Sequence, residues 1–143
     1  MCKTWLSILI LMLPVAANAA DSACFEQAGA RYQLPSSLLK AISRVESSGN
    51  PNAVNRNPDG SLDICHMQIN SRWLPTLKKY GITKQSLFNA CTCTHVGAWI
   101  LAQNIKRLGY GWDAVGAYNA ATPSKRAKYA RKVAAVLKRE RVL

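Results

Sequence analysis

Acidic residues are scarce in this chain: seven Asp and Glu stand against nineteen Lys and Arg among 143 residues, a formal net charge of +12. Also missing are any internal repeat, low-complexity segment or linker between two units. No apolar run reaches the roughly 20 residues that a permanent membrane-spanning helix needs, and no lipobox precedes Cys24. These absences argue against a second domain, a retained membrane span and a lipid anchor; the length suits one domain. The shortage of acid means that each carboxylate can be weighed singly for catalysis. The excess of base, concentrated in Lys125, Arg126, Lys128, Arg131, Lys132, Lys138, Arg139 and Arg141, attracts polyanions such as nucleic acid, anionic lipid or a cell wall bearing peptide carboxylates. A solvated helix face that only keeps the protein in solution is an equal alternative.

The N-terminus carries an address. Lys3 is followed by Leu6 to Leu13, apolar throughout except Ser7, then by Pro14 and a small-x-small site at Ala17-Asn18-Ala19. We expect a secretory signal peptide over 1–19 and a mature domain over 20–143 that makes no stable membrane insertion. Export disfavours nucleic acid as a partner. Cys2 leaves with the signal. Cys24, Cys65, Cys91 and Cys93 remain, an even number that in an exported domain reads as two disulfides. Cys91 and Cys93 are too close in sequence to bridge each other easily, so each reaches back to Cys24 or Cys65; Cys24–Cys91 with Cys65–Cys93 is the preferred pairing. Thiolate and imidazole donors at Cys65-His66 and Cys91 to His95 raise a zinc alternative, but their spacings match no common zinc module and the compartment favours bridges. No metal is expected.

Mature elements are mainly helical. A helix is expected from Pro35, where proline is tolerated at the first position, with Leu38, Leu39, Ile42 and Val45 at helical spacing and Ser47 to Pro51 ending it; another runs from Cys24 to about Tyr32. Asn57-Pro58-Asp59-Gly60 is a turn signal whose flanks, Val54 to Arg56 and Leu62 to Ile64, fit a short hairpin. Trp73 to Tyr80 is helically spaced, Ser86 to Ala90 adds a short turn, and Thr94 to Leu108 reads as a long core helix. Trp112 to Asn119 and Ser124 to about Leu137 follow. The fold class is mainly α (α+β), one helical domain with a small β-hairpin beside a groove.

Glu46 is the first candidate for chemistry. It follows Ile42 by four residues, on the face of buried neighbours, and it sits at a helix C-terminus, where the dipole disfavours negative charge. Both effects raise its pKa, as a general acid requires; a surface glutamate past the last turn is the equal alternative. Asp63 would ride the second hairpin strand and could face Glu46 across a groove, and paired carboxyls suit glycosidic cleavage. A polar strand residue bonded to the adjacent turn explains it as well. Gln68, Asn70, Tyr118 and Asn119 are amides and a phenol set beside apolar residues, a combination that suits sugars, though from the residues alone a buried, satisfied polar role is the favoured reading of each.

Three segments carry a resemblance. Glu46-Ser47 after a Leu-Leu-x-x-Ile helix, Met67-Gln68-Ile69-Asn70, and Ala117-Tyr118-Asn119-Ala120 closely resemble the three signatures of soluble lytic transglycosylases with a goose-type lysozyme fold. Asn52 to Asn57, Leu77 to Ile82 and Val96 to Leu101 are similar to compact members that serve type III secretion, conjugation and pilus assembly. The likeness runs from Cys24 to about Val133. It implies that Glu46 protonates the bond between N-acetylmuramic acid and N-acetylglucosamine and then, as base, takes the C6 hydroxyl proton so that a 1,6-anhydro ring closes. It implies that Ser47 and Gln68 orient the glutamate or the sugar, that Met67, Asn70, Tyr118 and Asn119 line the groove, and that Asp63 gives lysozyme-like support. It implies no metal or organic cofactor, peptidoglycan strands as substrate, an envelope-spanning machine as partner, and the periplasm of a Gram-negative bacterium as location. Two alternatives stand beside it: a hydrolytic lysozyme, and a catalytically weak wall-binding scaffold.

The chain departs from the family pattern in three places. The usual Gly-Leu-Met-Gln or Gly-Met-Met-Gln reads Cys65-His66-Met67-Gln68, the usual Ala-Tyr-Asn-Ala-Gly ends in Ala121, and the usual Pro-Cys-Thr-Asn reads Ala90-Cys91-Thr92-Cys93. Glycine at the first point normally permits an unusual backbone angle or close packing. The first and third changes together suggest an added Cys65–Cys93 disulfide holding the altered backbone. His66 is expected at the surface, or as a new groove residue titrating near neutral pH. A free-thiol count on the oxidised mature protein should find none; two free thiols would refute the added bridge.

Overall fold

The structure, a computed structural model, describes residues 16–141, with side chains from Asp21 onward. The expected signal peptide lies outside the described residues except for 16–19, which begin the first helix. Among the described residues the fold has six helices and a three-stranded sheet: α1 (Ala16–Tyr32), α2 (Ser36–Ser47), β1 (Val54–Arg56), β2 (Leu62–Ile64), β3 (Ile69–Asn70), α3 (Leu74–Lys78), α4 (Ala90–Leu108), α5 (Trp112–Gly116) and α6 (Pro123–Glu140). Single 3-10 turns at Ser71–Trp73 and Ser86–Phe88 precede α3 and α4. No helix among the described residues is long and apolar enough to cross a membrane.

Local chemistry sets the borders that matter for the site. α1 turns into α2 through Gln33 (φ 56°), and the Leu34 N–H returns to the Gly29 carbonyl at 2.9 Å. A Cβ on Gly29 would lie 2.6 Å from the Leu34 carbonyl oxygen, so only glycine admits this corner. α2 buries Leu38, Leu39 and Ile42 on one stripe and stops at Ser48, in the left-handed region. The N–H groups of Ser48 and Gly49 close back on the Arg44 and Ser43 carbonyls. Glu46 therefore stands in the last turn of a helix whose end is fixed.

β1 and β2 form the expected antiparallel hairpin, with Asn55 opposite Asp63. A third strand, not expected, adds Ile69–Asn70 to β2, with Asn70 opposite Asp63. Two residues are too few for a period to be read from sequence. α4 begins at Ala90, earlier than expected, because the Asn89 side chain accepts from the Thr92 N–H at 3.0 Å and caps it. α5 is shorter than expected, with a turn over 117–119 after it.

The core gathers Leu39, Ile42, Ile64, Met67, Ile69, Leu87, Leu101 and Val133, all essentially without solvent contact. Fully burying such side chains is worth roughly 1.5–3 kcal/mol each before entropy is counted. α4 is the central element, against which α1, α2, α5 and β3 all pack, while α6 crosses α2 and α5. At the α5–α6 crossing, a Cβ on Gly116 would lie 2.5 Å from the Arg126 carbonyl oxygen, so the close approach depends on that glycine.

Two disulfides pin the fold, Cys24–Cys91 between α1 and α4, and Cys65–Cys93 between the segment after β2 and α4. Their formation consumes the thiolates on which a zinc reading depended. Cys65 has φ 63° and is fully buried. The left-handed conformation that glycine would hold freely is thus retained by a residue with a Cβ, at a cost of about 1–2 kcal/mol, and the bridge ties that residue to α4. With the bridge removed in both, Cys65→Gly/Cys93→Ala should be more stable than Cys65→Ala/Cys93→Ala by about 1 kcal/mol. Urea denaturation midpoints of the two proteins check this, and equal midpoints would contradict it.

Candidate active site

A cavity of about 600 Å³ opens between the sheet, the end of α2 and the turn after α5. Glu46 enters it from α2, Asp63 from β2, Asn70 from β3, Gln68 from the preceding loop, and Tyr118 and Asn119 from the turn after α5. Residues as far apart in sequence as Glu46 and Asn119 thus share one groove, a result of the α2, sheet and α5 layers meeting on α4.

Glu46 is partly buried, and its pKa is raised from 4.5 to about 7. Desolvation is the main cause, and the negative charge of Asp63 adds to it. Two effects oppose the rise. The Tyr129 hydroxyl donates to Glu46 Oε1 at 2.5 Å, and Lys132, one turn further along α6, contributes a positive charge. Burial and the neighbouring Glu46 charge push the Tyr129 phenol upward, so it stays a donor. The carboxyl is therefore held by one oxygen and keeps its proton through much of the neutral range.

Asp63 is held from two sides by amide donors. Asn70 Nδ2 donates to its Oδ1 at 2.8 Å and Asn57 Nδ2 to its Oδ2 at 3.1 Å. The Asn70 amide also reaches Ser61 Oγ, and its oxygen accepts from the Arg72 N–H. Asn70 lines the cavity, but its polar atoms are already occupied in positioning Asp63. Gln68 lines the cavity too, with φ 51°; its amide donates to the Cys65 carbonyl at 2.9 Å and accepts from Asn55 Nδ2 at 2.6 Å. Asn119 is exposed at the rim.

Three expected placements are corrected. Met67 is fully buried rather than lining the groove; its side chain lies against Gly97, where a Cβ would come within 2.5 Å of Met67 Cε and 3.0 Å of the Tyr118 hydroxyl. Its carbonyl, not its side chain, meets the site, accepting from Tyr118 Oη at 2.9 Å. Tyr118 thus braces the Met67-Gln68 segment. Ser47 does not touch the glutamate: its hydroxyl donates to the His66 carbonyl at 2.9 Å and accepts from the Asn50 N–H at 3.0 Å. His66 is neither at the surface nor in the groove. It is 3% exposed, on the far side of α2, with both ring nitrogens in hydrogen bonds and a pKa lowered by burial.

Sequence reasoning missed Tyr129, which fell only within the range expected for the last helix. The signal was available: a tyrosine on an apolar helix face needs a partner for its hydroxyl, and unpaired acid is scarce here. Trp73 and Ile100 complete the apolar wall of the cavity, and Trp73 stacks edge-on against Trp99 at 5.3 Å. An acid with a raised pKa, a second carboxylate, amides and an aromatic wall form a site able to protonate a leaving group beside a sugar-sized ligand.

Comparison with known proteins gives the family and the fold. A family model described as "Transglycosylase SLT domain" matches residues 23–140. The invasion protein IagB of Salmonella typhimurium is 44% identical over 131 residues, covering 88% of this chain and 81% of its own. Protein IpgF of Shigella flexneri is 41% identical over 122 residues, covering 85% and 78%. A peptidoglycan-binding-like protein of Escherichia coli O157:H7 is 37% identical over 140 residues, covering 90% and 81%. Among solved structures, an inactive mutant of the lytic transglycosylase Slt from Pseudomonas aeruginosa superposes with a TM-score of 0.66 at 22% identity, over 87% of this chain. The matched part is 24% of that longer chain, and the likeness establishes a shared lysozyme-like fold. With the family model spanning most of its length, this chain belongs to the transglycosylase SLT family, as a compact peptidoglycan lytic transglycosylase.

Proposed function

We propose that the protein cleaves the β-1,4 bond between N-acetylmuramic acid and N-acetylglucosamine with Glu46 as its single acid–base catalyst, leaving a 1,6-anhydro end. The observation that carries this reading is a partly buried carboxyl with its pKa raised to about 7, inside a sugar-sized groove. Protonated, Glu46 donates to the glycosidic oxygen as the bond breaks. Now a carboxylate, it removes the proton from the C6 hydroxyl, whose oxygen closes on C1. A group with a pKa near the working pH can do both steps in sequence. Asp63, oriented by Asn57 and Asn70, stabilises the positive charge that develops on the ring. Gln68 and Asn119 contact sugar hydroxyls, and Trp73 offers a face to a ring.

Export to the periplasm through a signal peptide over 1–19 fits the two disulfides. The similarity to an invasion protein, with the motif likeness to secretion-associated members, supports a role in opening the wall locally for an envelope-crossing machine. Hydrolysis remains the second reading, favoured by the presence of Asp63 in the same groove, as retaining glycosidases use two carboxyls.

Mass spectrometry of sacculi digested by the oxidised mature protein should find anhydro-muropeptides, and Glu46→Gln should lose them by roughly 10²-fold or more. Reducing ends in place of anhydro ends would make the enzyme a lysozyme. Absence of any product from the parent would leave a wall-binding scaffold.

The pH dependence has a definite sign. Activity needs protonated Glu46 and should fall as pH rises through about 7. Tyr129 donates to the charged form and lowers the pKa, so Tyr129→Phe should move that falling limb to higher pH while lowering kcat. A limb that stays in place or moves down would exclude Tyr129 as the partner of the catalytic carboxyl.

A further inference from the structure

His66 lies behind α2, and its bonds converge on the helix that carries Glu46. Its Nδ1 is 2.8 Å from Ser43 Oγ, and its Nε2 is 3.0 Å from the Ala90 carbonyl oxygen. A neutral ring protonated on Nε2 satisfies both: Nε2–H donates to Ala90, and Nδ1 accepts from Ser43. Thr94 Oγ1, 3.2 Å from Nε2, itself donates to the Ala90 carbonyl. The His66 backbone carbonyl accepts from Ser47 Oγ at 2.9 Å. One residue thus bonds α2 on both sides of Glu46, three positions before it and one after, and fastens it to the first turn of α4. The edge of Phe25 in α1 packs on the ring. The preceding residue is bridged to Cys93, and the Met67 N–H donates to Cys93 Sγ at 3.3 Å.

We propose that His66 is a positioning residue for Glu46, a neutral imidazole strut that sets the rotation and depth of the last turn of α2 and so keeps the acid carboxyl in its dry place beside Tyr129. The proposal deepens the catalytic reading above and rests on it for its functional meaning. In the family pattern this place is apolar, and an apolar side chain could fill the space but could not bond Ser43. Ser43 is itself 3% exposed, so its hydroxyl would then be left without its partner, which loosens the turn. Loosening admits water to Glu46, and water favours the charged form. The charged groups around the strut are Asp21 of α1, Lys40 and Arg44 of α2 and Glu140 of α6, which line the cavity behind it. On the catalytic side Glu46 faces Asp63 of β2 and Tyr129 and Lys132 of α6.

The test reads Glu46 directly. The chain has three glutamates, Glu26, Glu46 and Glu140, so carboxyl-13C-glutamate NMR of the oxidised mature protein resolves a short set of titrations, with Glu46 assigned by its loss in Glu46→Gln. In His66→Leu, the proton affinity of Glu46 should fall about tenfold towards that of an ordinary carboxyl, with kcat down roughly tenfold and KM within about twofold. His66→Asn, whose side-chain oxygen can accept from Ser43 in place of Nδ1, should restore both in large part. Should His66→Leu fail to fold, Ser43→Ala removes the α2 end of the same bond and should shift Glu46 in the same direction. An unchanged Glu46 titration and kcat, with only the melting temperature lowered, would overturn the proposal and leave His66 a packing residue. An inactive parent protein in which Glu46 still titrates near 7 and shifts in His66→Leu would overturn the catalytic reading while supporting the strut.

Discussion

The structure turns on one carboxyl taken out of water. Glu46 sits where a helix end, a buried setting and a second carboxylate all oppose its ionisation, and a single phenol from the last helix holds it there. Such a placement costs stability whenever the group is charged. Because its folded-state pKa lies above the ordinary value, the favourable contribution is complete below about 4.5 and is lost as pH rises through about 7. A packed fold tolerates this because the surrounding elements are fixed independently of Glu46.

Those fixings come from three sides. Behind α2, His66, Ser43 and Ser47 join the helix to α4. Below it, the Cys65–Cys93 bridge and the Tyr118 hydroxyl hold the Cys65–Gln68 segment, which carries two left-handed residues, at Cys65 and Gln68. Left-handed conformations at residues with side chains persist only where neighbours over-determine them. Here both flank the segment that forms the groove floor. Beyond the sheet, Asn57 and Asn70 hold Asp63 in place in the same cavity by amide hydrogen bonds. The two carboxyls thereby have unlike environments, one largely desolvated beside a single phenol and one bonded by two amides.

The basic character of the chain is spread over exposed helix surface. Lys125, Lys128, Arg131, Lys132, Lys138 and Arg139 of α6 are all exposed, and ion pairs such as Arg72 with Asp59 and Arg44 with Glu140 lie at the surface. Exposed pairs of this sort contribute little to stability. The more direct effect of the exposed bases is a positive potential over α6, which attracts polyanions.

Helical periodicity, turn residues and the position of Glu46 at a helix end were all readable in the linear chain, since they depend on neighbours within a few residues. So was the hairpin around Asn57 to Gly60. The third strand, the early start of α4 and the true settings of Ser47, Met67 and His66 were not readable, because each depends on what comes close from elsewhere in the chain. Met67 is buried because Gly97 leaves it room, and His66 is interior because Ser43 and Ala90 lie on either side of it. Tyr129 reaches Glu46 across 83 residues of sequence, a distance over which no pattern of spacing carries information. The sequence by itself determined which groups were available for proton transfer and that one helix would carry the acid. Only the tertiary structure decided which of them meet, because desolvation and hydrogen bonding act over a few ångströms of space and are indifferent to separation along the chain.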